Sequence, residues 1–387
     1  MLLTTQSFLI KKLEHKSIVW FKASNTYVLV AHDTVKILEK INEGFSDDEL
    51  FIFCLQQFQL SNKQAETVIN AVYSLIKQLN TPVTIETNST TESIKTTNYD
   101  STKFYEIGTK IIKVSFETAN LEFLVHPKFA HLEVTNVVDF ISHFKVGYSQ
   151  HKIVLEVDTK RVGAWEEKEI HYFQGKFSMV LLETMYEIEE KKWMAVLHAS
   201  AISNGENCIL FTGDSGNGKS TLAALLVANG YTLFADDFVP IAAATKKVFH
   251  FPAAISIKEK AVATLLPYFP KLESASVYTY ENMHKKVRYL ATQRLDLTTK
   301  KQLNCKAIVL VNYKENSGLT IKKLPKEDAF EYLIPDSWLS EEVENASFFL
   351  DWFSTMPCYH LTYSDTELMC KTVEELFSSN ETRNNEL

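Results

Sequence analysis

The sequence predicts a large α/β domain built around a mixed sheet, preceded by a small α+β unit of winged-helix-like layout. Three observations predict this. Residues 1–80 carry two strand-like runs followed by three helix signatures. Residues 205–240 alternate strand, glycine-rich loop, helix and strand. Between these regions, residues 81–102 read TPVTIETNSTTESIKTTNYDST, rich in Thr, Ser and Asn with neither helical nor strand period, which marks a linker. The chain is therefore divided into 1–80, a linker over 81–104, and 105–387.

The first unit opens with strand-like text at Ile18 to Phe21 and Tyr27 to Val30. Asp33 is placed to cap a helix carrying Val35, Ile37, Leu38 and Ile41, and Gly44 stands where a helix-ending glycine belongs. Ser46 with Glu49, and Ser61 with Gln64, form capping boxes for two further helices. The last of these puts Ala65, Val68, Ile69, Val72, Leu75, Ile76 and Leu79 on one stripe. Two strands and three helices also describe a winged helix that reads DNA. Residues 1–80, however, carry eight Lys against eight Asp and Glu, without the basic face such a reader shows.

The segment TYVLVAHDTVKILEKINEGFSDDELFIFCLQQF, continued by ETVINAVYSLIKQL, resembles the PqqD-like peptide-recognition domain over about residues 15–80. The shared features are the first helix, the Gly after it, the acidic turn and the long final helix. The resemblance implies that this unit holds the leader of a precursor peptide along a sheet edge by strand addition.

From about 105 to 200 the text is strand-rich: KIIKVSFET, LEFLVHP, KIVLEVD, then IHYFQGKFSMVLLETMYEI, which also fits a helix. It forms either a separate domain or the first layer of the large domain's sheet, and running into the next strand pattern with no linker favours the second. Residues 306–313 and Tyr359 to Tyr363 read as strands, and Asp365 to Phe377 as a closing helix.

The bulk properties exclude several classes. Hydrophobic content of 45% and charged content of 23% fit a globular chain, and 387 residues exceed one typical core. A net charge of -8 supplies no field toward nucleic acid or anionic lipid, so neither is expected as a partner. Cys54, Cys208, Cys305, Cys358 and Cys370 form no CxxC pair, and their odd number argues against a disulfide framework. Reduced thiols fit the cytoplasm. In MLLTTQSFLIKKLEHK the lysines follow the apolar run, unlike a signal peptide, and no apolar run approaches a membrane span.

The motif that carries chemistry is Gly213, Asp214, Ser215, Gly216, Asn217, Gly218, Lys219, Ser220, Thr221, which fits G-x-x-x-x-G-K-[ST] without deviation. The strand run CILFT precedes it and the helix pattern TLAALLVA succeeds it. Glycines let backbone N–H groups turn inward around phosphate oxygens, and a helix N-terminus adds partial positive charge. Lys219 is expected on the β- and γ-phosphates of ATP and Ser220 on Mg²⁺. The strand Tyr231 to Ala235 ends in Asp236 and Asp237, where a metal partner and an acceptor of a hydroxyl proton belong. His198 lies upstream in the strand-like run VLHASAI. A histidine there is also an ordinary core or edge residue, and paired aspartates are also ordinary turn residues.

Taken together, His198, GDSGNGKS and NGYTLFADD resemble the HPr kinase/phosphorylase catalytic domain, with 21 residues from His198 to Lys219 and 18 from Lys219 to Asp237. The resemblance covers about 196–240. It implies an α/β P-loop kinase domain, with Lys219 and Ser220 on phosphate and Mg²⁺. Asp237 becomes general base, Asp236 stands near the metal, and His198 lies near the γ-phosphate and coupled to the pair; exchange of the two aspartates' roles stays open. It also implies ring-like self-association. The family's segment close to E-I-R-G-L-G finds only Ser256-Ile257-Lys258-Glu259 here, with the glycines absent, which leaves Glu259 as the candidate second metal carboxylate. A basic run, His284-Lys285-Lys286-Val287-Arg288-Tyr289, lies further on. Lys286 and Arg288 alternate on one strand face, positioned either to stabilise a transferring phosphoryl group or to form a solvated hairpin.

The expected activity is transfer of the γ-phosphoryl group of ATP to a serine-like hydroxyl of a ribosomally made precursor peptide, its leader held by the N-terminal unit and its acceptor kept near the site by a loose tether. Three alternatives stand beside it: a folded-protein acceptor, a small molecule or amino acid, and a non-catalytic nucleotide-gated chaperone.

Overall fold

The computed structural model describes residues 8–81, 94, 98–280, 285–291 and 301–379. Most of the expected linker, and His284 of the basic run, lie outside the described residues.

The N-terminal unit is an antiparallel sheet in the order β1 (Phe8–Lys12), β2 (Lys16–Phe21), β3 (Thr26–Ala31), covered on one face by α1 (His32–Asn42), α2 (Asp47–Phe58) and α3 (Asn62–Leu79). The capping boxes at Ser46 and Ser61 form as their sequences predict, and Gly44 closes α1 at φ +88°. Asp33 does not cap α1. The helix already begins at His32, and Asp33 lies in its first turn, where its charge favours the dipole.

Side chains alternate across this sheet with period two. Val19 and Phe21 face the unit's own helices, whereas Ile18 and Trp20 enter the core of the large domain. The unit is therefore docked rather than loosely tethered. Tyr27 packs on Phe330 and Phe349, and Lys11 pairs with Asp351 at 2.7 Å. Glu327 Oε1 accepts the N–H groups of His15 at 2.7 Å and Lys16 at 3.0 Å.

Next comes a five-stranded sheet in the order β4 (Ser101–Ile107), β5 (Lys110–Phe116), β6 (Ser142–Ser149), β7 (Lys152–Val157), β8 (Lys160–Trp165), with α4 (Ala119–Phe129) after β5 and α5 (Ile170–Tyr186) after β8. Strand β4 begins inside the span assigned to the linker. The run LEFLVHP is helical, not a strand, because Leu121, Val125 and Phe129 recur every four residues and the Thr118 hydroxyl accepts the Leu121 N–H at the helix start. The strands do not extend the large domain's sheet, as the sequence suggested. They form a sheet of their own that shares its core through contacts such as Phe129 with Phe251.

The main sheet comprises β9 (Trp193–Leu197), β10 (Ser200–Ser203), β11 (Asn207–Thr212), β12 (Thr232–Asp236), β13 (Val239–Ala242), β14 (Val248–Phe249), β18 (Gln302–Tyr313), β19 (Leu319–Lys323), β20 (Trp338–Leu339) and β21 (Cys358–Tyr363). Strands β15 (Ile255–Lys258), β16 (Tyr278–Tyr280) and β17 (Lys285–Leu290) make a small antiparallel sheet beside it. Helices α6 (Lys219–Ala228), α7 (Glu259–Leu265), α8 (Lys326–Leu333), α9 (Val343–Thr355) and α10 (Thr366–Ser378) complete the domain, a mixed α/β architecture. Strand β11 is parallel to β18, and β18 to β21, while β10 runs antiparallel to both β11 and β12. The carboxyl ends of β11, β12, β18 and β21 thus share one side of the sheet, where open α/β sheets place ligands.

Candidate active site

The glycine loop leaves the carboxyl end of β11 and enters α6. Its glycines take φ values open to few other residues: +138° at Gly213, +106° at Gly216 and +94° at Gly218. At Gly213 a Cβ would lie 2.9 Å from the Val311 carbonyl oxygen of β18, so only glycine lets the loop pass so close to that strand. Tyr313 N–H donates to Asn217 O at 3.1 Å and ties the loop's crown to the end of β18. Asp214, Ser215 and Gly216 form the exposed crown, Lys219 and Ser220 open α6, and Thr221 comes next in its first turn.

Lys219 is buried, and Nζ donates to Gly213 O at 2.5 Å and to Asp214 O at 3.4 Å. Burial holds its pKa below the usual lysine range; the carboxylates of Asp237, Asp236, Asp214 and Asp336 oppose that shift. One ammonium group thus sits in the field of four acids.

Asp236 ends β12 directly opposite Ser200 and is 3% exposed. Its Oδ1 accepts from the Ser200 hydroxyl at 2.5 Å, while Oδ2 is buried without a hydrogen-bond partner. Burial, reinforced by the neighbouring charge of Asp237, pushes Asp236 up to about 7, with the hydroxyls of Ser200 and Ser220 and the Ser256 N–H acting against that. A buried carboxylate with an orphaned oxygen, close to the Ser220 hydroxyl, is a donor set that suits a hard cation. Among the described residues no three His, Cys, Asp or Glu side chains gather into a metal cage. Mg²⁺ at a phosphate loop needs none, since it leans on one carboxylate, one hydroxyl, phosphate oxygens and water.

Asp237 stands at φ +60°, the left-handed region that aspartate tolerates, with its N–H bonded to Ala199 O at 2.9 Å. This turn releases its carboxylate from the sheet and leaves it 38% exposed, beside the buried Asp236. His198 Nδ1 stands 3.9 Å from Asp237 Oδ1. The expected continuous strand through His198 is interrupted: β9 stops at Leu197 and β10 starts at Ser200. The break places His198 at the chain's crossing between two strand ladders, its N–H on the Ser337 hydroxyl at 3.0 Å.

The remaining candidates pair with each other. Arg288 Nε and Nη2 bind Glu259 at 3.3 and 3.1 Å, and Nη1 donates to the carbonyls of Leu272, Glu273 and Ala275. The Arg288 fork is consumed in holding α7 and the turn beyond it to β17, so it is not aimed at a phosphoryl group. Glu259 is held by that fork. Lys286 lies exposed on the same strand and favours the charged form of Glu259.

Four contributors are not apparent from the sequence. Ser200 is the partner of Asp236, and Asp336 and Ser337 come from the turn after α8, far along the chain. Lys258 Nζ donates to the Ser215 hydroxyl at 2.8 Å. Ser200 carries the one local signal, since it lies two residues beyond His198 in the run VLHASAI.

No known protein family and no curated protein matches the chain. Among solved structures, the Hpr(Ser) kinase/phosphatase from Coxiella burnetii matches at 11% identity, over 47% of this chain and 93% of that chain, with a TM-score of 0.20. A likeness at that score carries no argument about function; the loop and its acids carry it.

Proposed function

We propose that this chain is a phosphotransferase that binds ATP·Mg²⁺ at the Gly213–Ser220 loop and passes the γ-phosphoryl group to a hydroxyl, with Asp237 as general base. One observation carries the proposal. A buried, partly orphaned carboxylate and an exposed one sit side by side at a strand end next to a phosphate loop, so one suits a metal and the other a proton. Bare nucleotide binding does not require the second acid or the histidine beside it.

The division of labour comes from the surroundings. Loop amides and Lys219 would hold the β- and γ-phosphates, and Ser220 with Asp236 would hold Mg²⁺, which neutralises charge on the phosphates. Asp237, free of the sheet, would accept the proton of the attacking hydroxyl, and His198 would orient it. Localisation in the cytoplasm fits this use of ATP, and among the described residues no helix is long and apolar enough to cross a membrane.

The acceptor we favour is a ribosomally made precursor peptide. Support comes from the sequence resemblance of residues 15–80 to peptide-recognition domains and from the position of β3 at one edge of its sheet, where an extended peptide could add a strand. A docked unit would present such a peptide at a fixed distance from the site, in place of the loose tether the linker composition suggested. The test offers γ-labelled ATP and Mg²⁺ with a precursor-type peptide carrying its leader, the same peptide without leader, a folded protein, and free serine. Label on the leader-bearing peptide alone supports this acceptor. Label on the protein or on serine replaces it, and ATP binding with no labelled product favours a nucleotide-gated chaperone.

A further inference from the structure

The charge balance around the loop is unfavourable to a nucleotide. Lys219 lies in the electrostatic field of Asp237, Asp236, Asp214 and Asp336, and a triphosphate adds several more negative charges. One Mg²⁺ and one lysine leave the site short of cations, and Arg288 is committed to Glu259 and three carbonyls. The small β15–β17–β16 sheet supplies what is missing. At its junction with α7, Lys258 Nζ binds Ser215 Oγ at 2.8 Å, and a Cβ built on Gly216 would lie 3.7 Å from Lys260 Nζ. Both ammonium groups therefore stand at the crown of the loop. Glu259, between them in sequence, is paired instead with Arg288.

We propose that Lys258 and Lys260 form the second cationic pole of the triphosphate site, complementing Lys219, and that the Glu259–Arg288 pair is the positioning device that presents them. This inference rests on the reading of Gly213–Ser220 as a nucleotide loop. The bidentate geometry of Arg288 fixes the first turn of α7 against β17, and so fixes both lysine backbones relative to the loop. Arg288 also pairs with Glu259, the acid between the two lysines in sequence. Each lysine acts as a mobile point charge, so the contribution scales with phosphate charge.

The test is the dissociation constant of the full chain for ATP and ADP with Mg²⁺, by titration calorimetry, for the wild type, K219A, the double substitution K258Q/K260Q, and R288Q. The double variant should weaken ATP binding by roughly tenfold or more, and ADP binding less, with a shallower dependence on salt. R288Q should reproduce part of that loss; if it fails to fold, the double variant decides alone. ATP affinity within about twofold of wild type in the double variant, with K219A binding lost, overturns the inference and leaves the loop's assignment standing. A wild-type chain that binds neither nucleotide overturns the loop reading itself.

Discussion

His198 Nδ1 lies 3.9 Å from Oδ1 of Asp237, and each residue occupies the first position where its strand ladder releases the chain. The pair joins a group that can carry a proton to a carboxylate that can take one. Asp237→Asn keeps size and hydrogen bonding but removes the basic oxygen, so transfer should fall by about 10²- to 10⁴-fold while ATP affinity changes little. His198→Ala should cost roughly ten- to a hundredfold through lost orientation of Asp237. Rates and nucleotide affinities measured on the same samples separate the two roles from a folding defect.

Asp236 yields a stability prediction. Its folded-state pKa is raised to about 7 from the ordinary aspartate value of 3.8, so the folded state favours the protonated form. The stabilising contribution is fully present below about pH 4, declines as pH rises through the window, and is gone above about pH 7. Thermal unfolding without metal should therefore show Asp236→Asn more stable than wild type at pH 8, by roughly 1–3 kcal/mol, with the difference shrinking at pH 5. Mg²⁺ with ATP should raise the melting temperature of wild type at pH 8 more than that of the variant.

Gly213 tests the loop's conformation. An alanine there would combine φ +138° with a Cβ 2.9 Å from the Val311 carbonyl. Gly213→Ala should destabilise the fold by roughly 1–3 kcal/mol and weaken ATP binding by more than about tenfold. Denaturant unfolding and calorimetry check both parts.

Glu327 tests the docking of the N-terminal unit. Its buried carboxylate accepts the N–H groups of His15 and Lys16. Glu327→Ala leaves both without that acceptor and should cost roughly 1–3 kcal/mol, whereas Glu327→Gln keeps an acceptor oxygen and should cost less. Faster proteolysis of residues 1–80 in the alanine variant would report loosened docking.

Legibility in the sequence tracks the range of the interactions. Capping boxes, the glycine at the end of α1 and the loop with its flanking strand and helix depend on residues a few positions apart, and they stand where the text places them. The break at His198 is hidden because VLHASAI reads as one strand throughout, and only pairing with two different sets of partners, β13 with β20 for one half and β11 with β12 for the other, reveals it. The separate sheet of β4–β8 is hidden for a related reason: strand text does not state which edge a strand joins. The pairing of Arg288 with Glu259 links positions 29 residues apart, and that of the Ser337 hydroxyl with the His198 N–H links positions 139 apart, beyond the reach of any local pattern.

Joint action of Asp237 and the Gly213–Ser220 loop in moving a phosphoryl group is tested most directly by intact mass. A leader-bearing precursor peptide is weighed after incubation with ATP, Mg²⁺ and either the wild-type chain, Lys219→Ala or Asp237→Asn. The expected result is a gain of one phosphoryl group with wild type and none with either variant, although Asp237→Asn still binds ATP. Undiminished modification by Asp237→Asn would contradict that joint role, and an unmodified peptide with a nucleotide-bound wild type would contradict the peptide as acceptor.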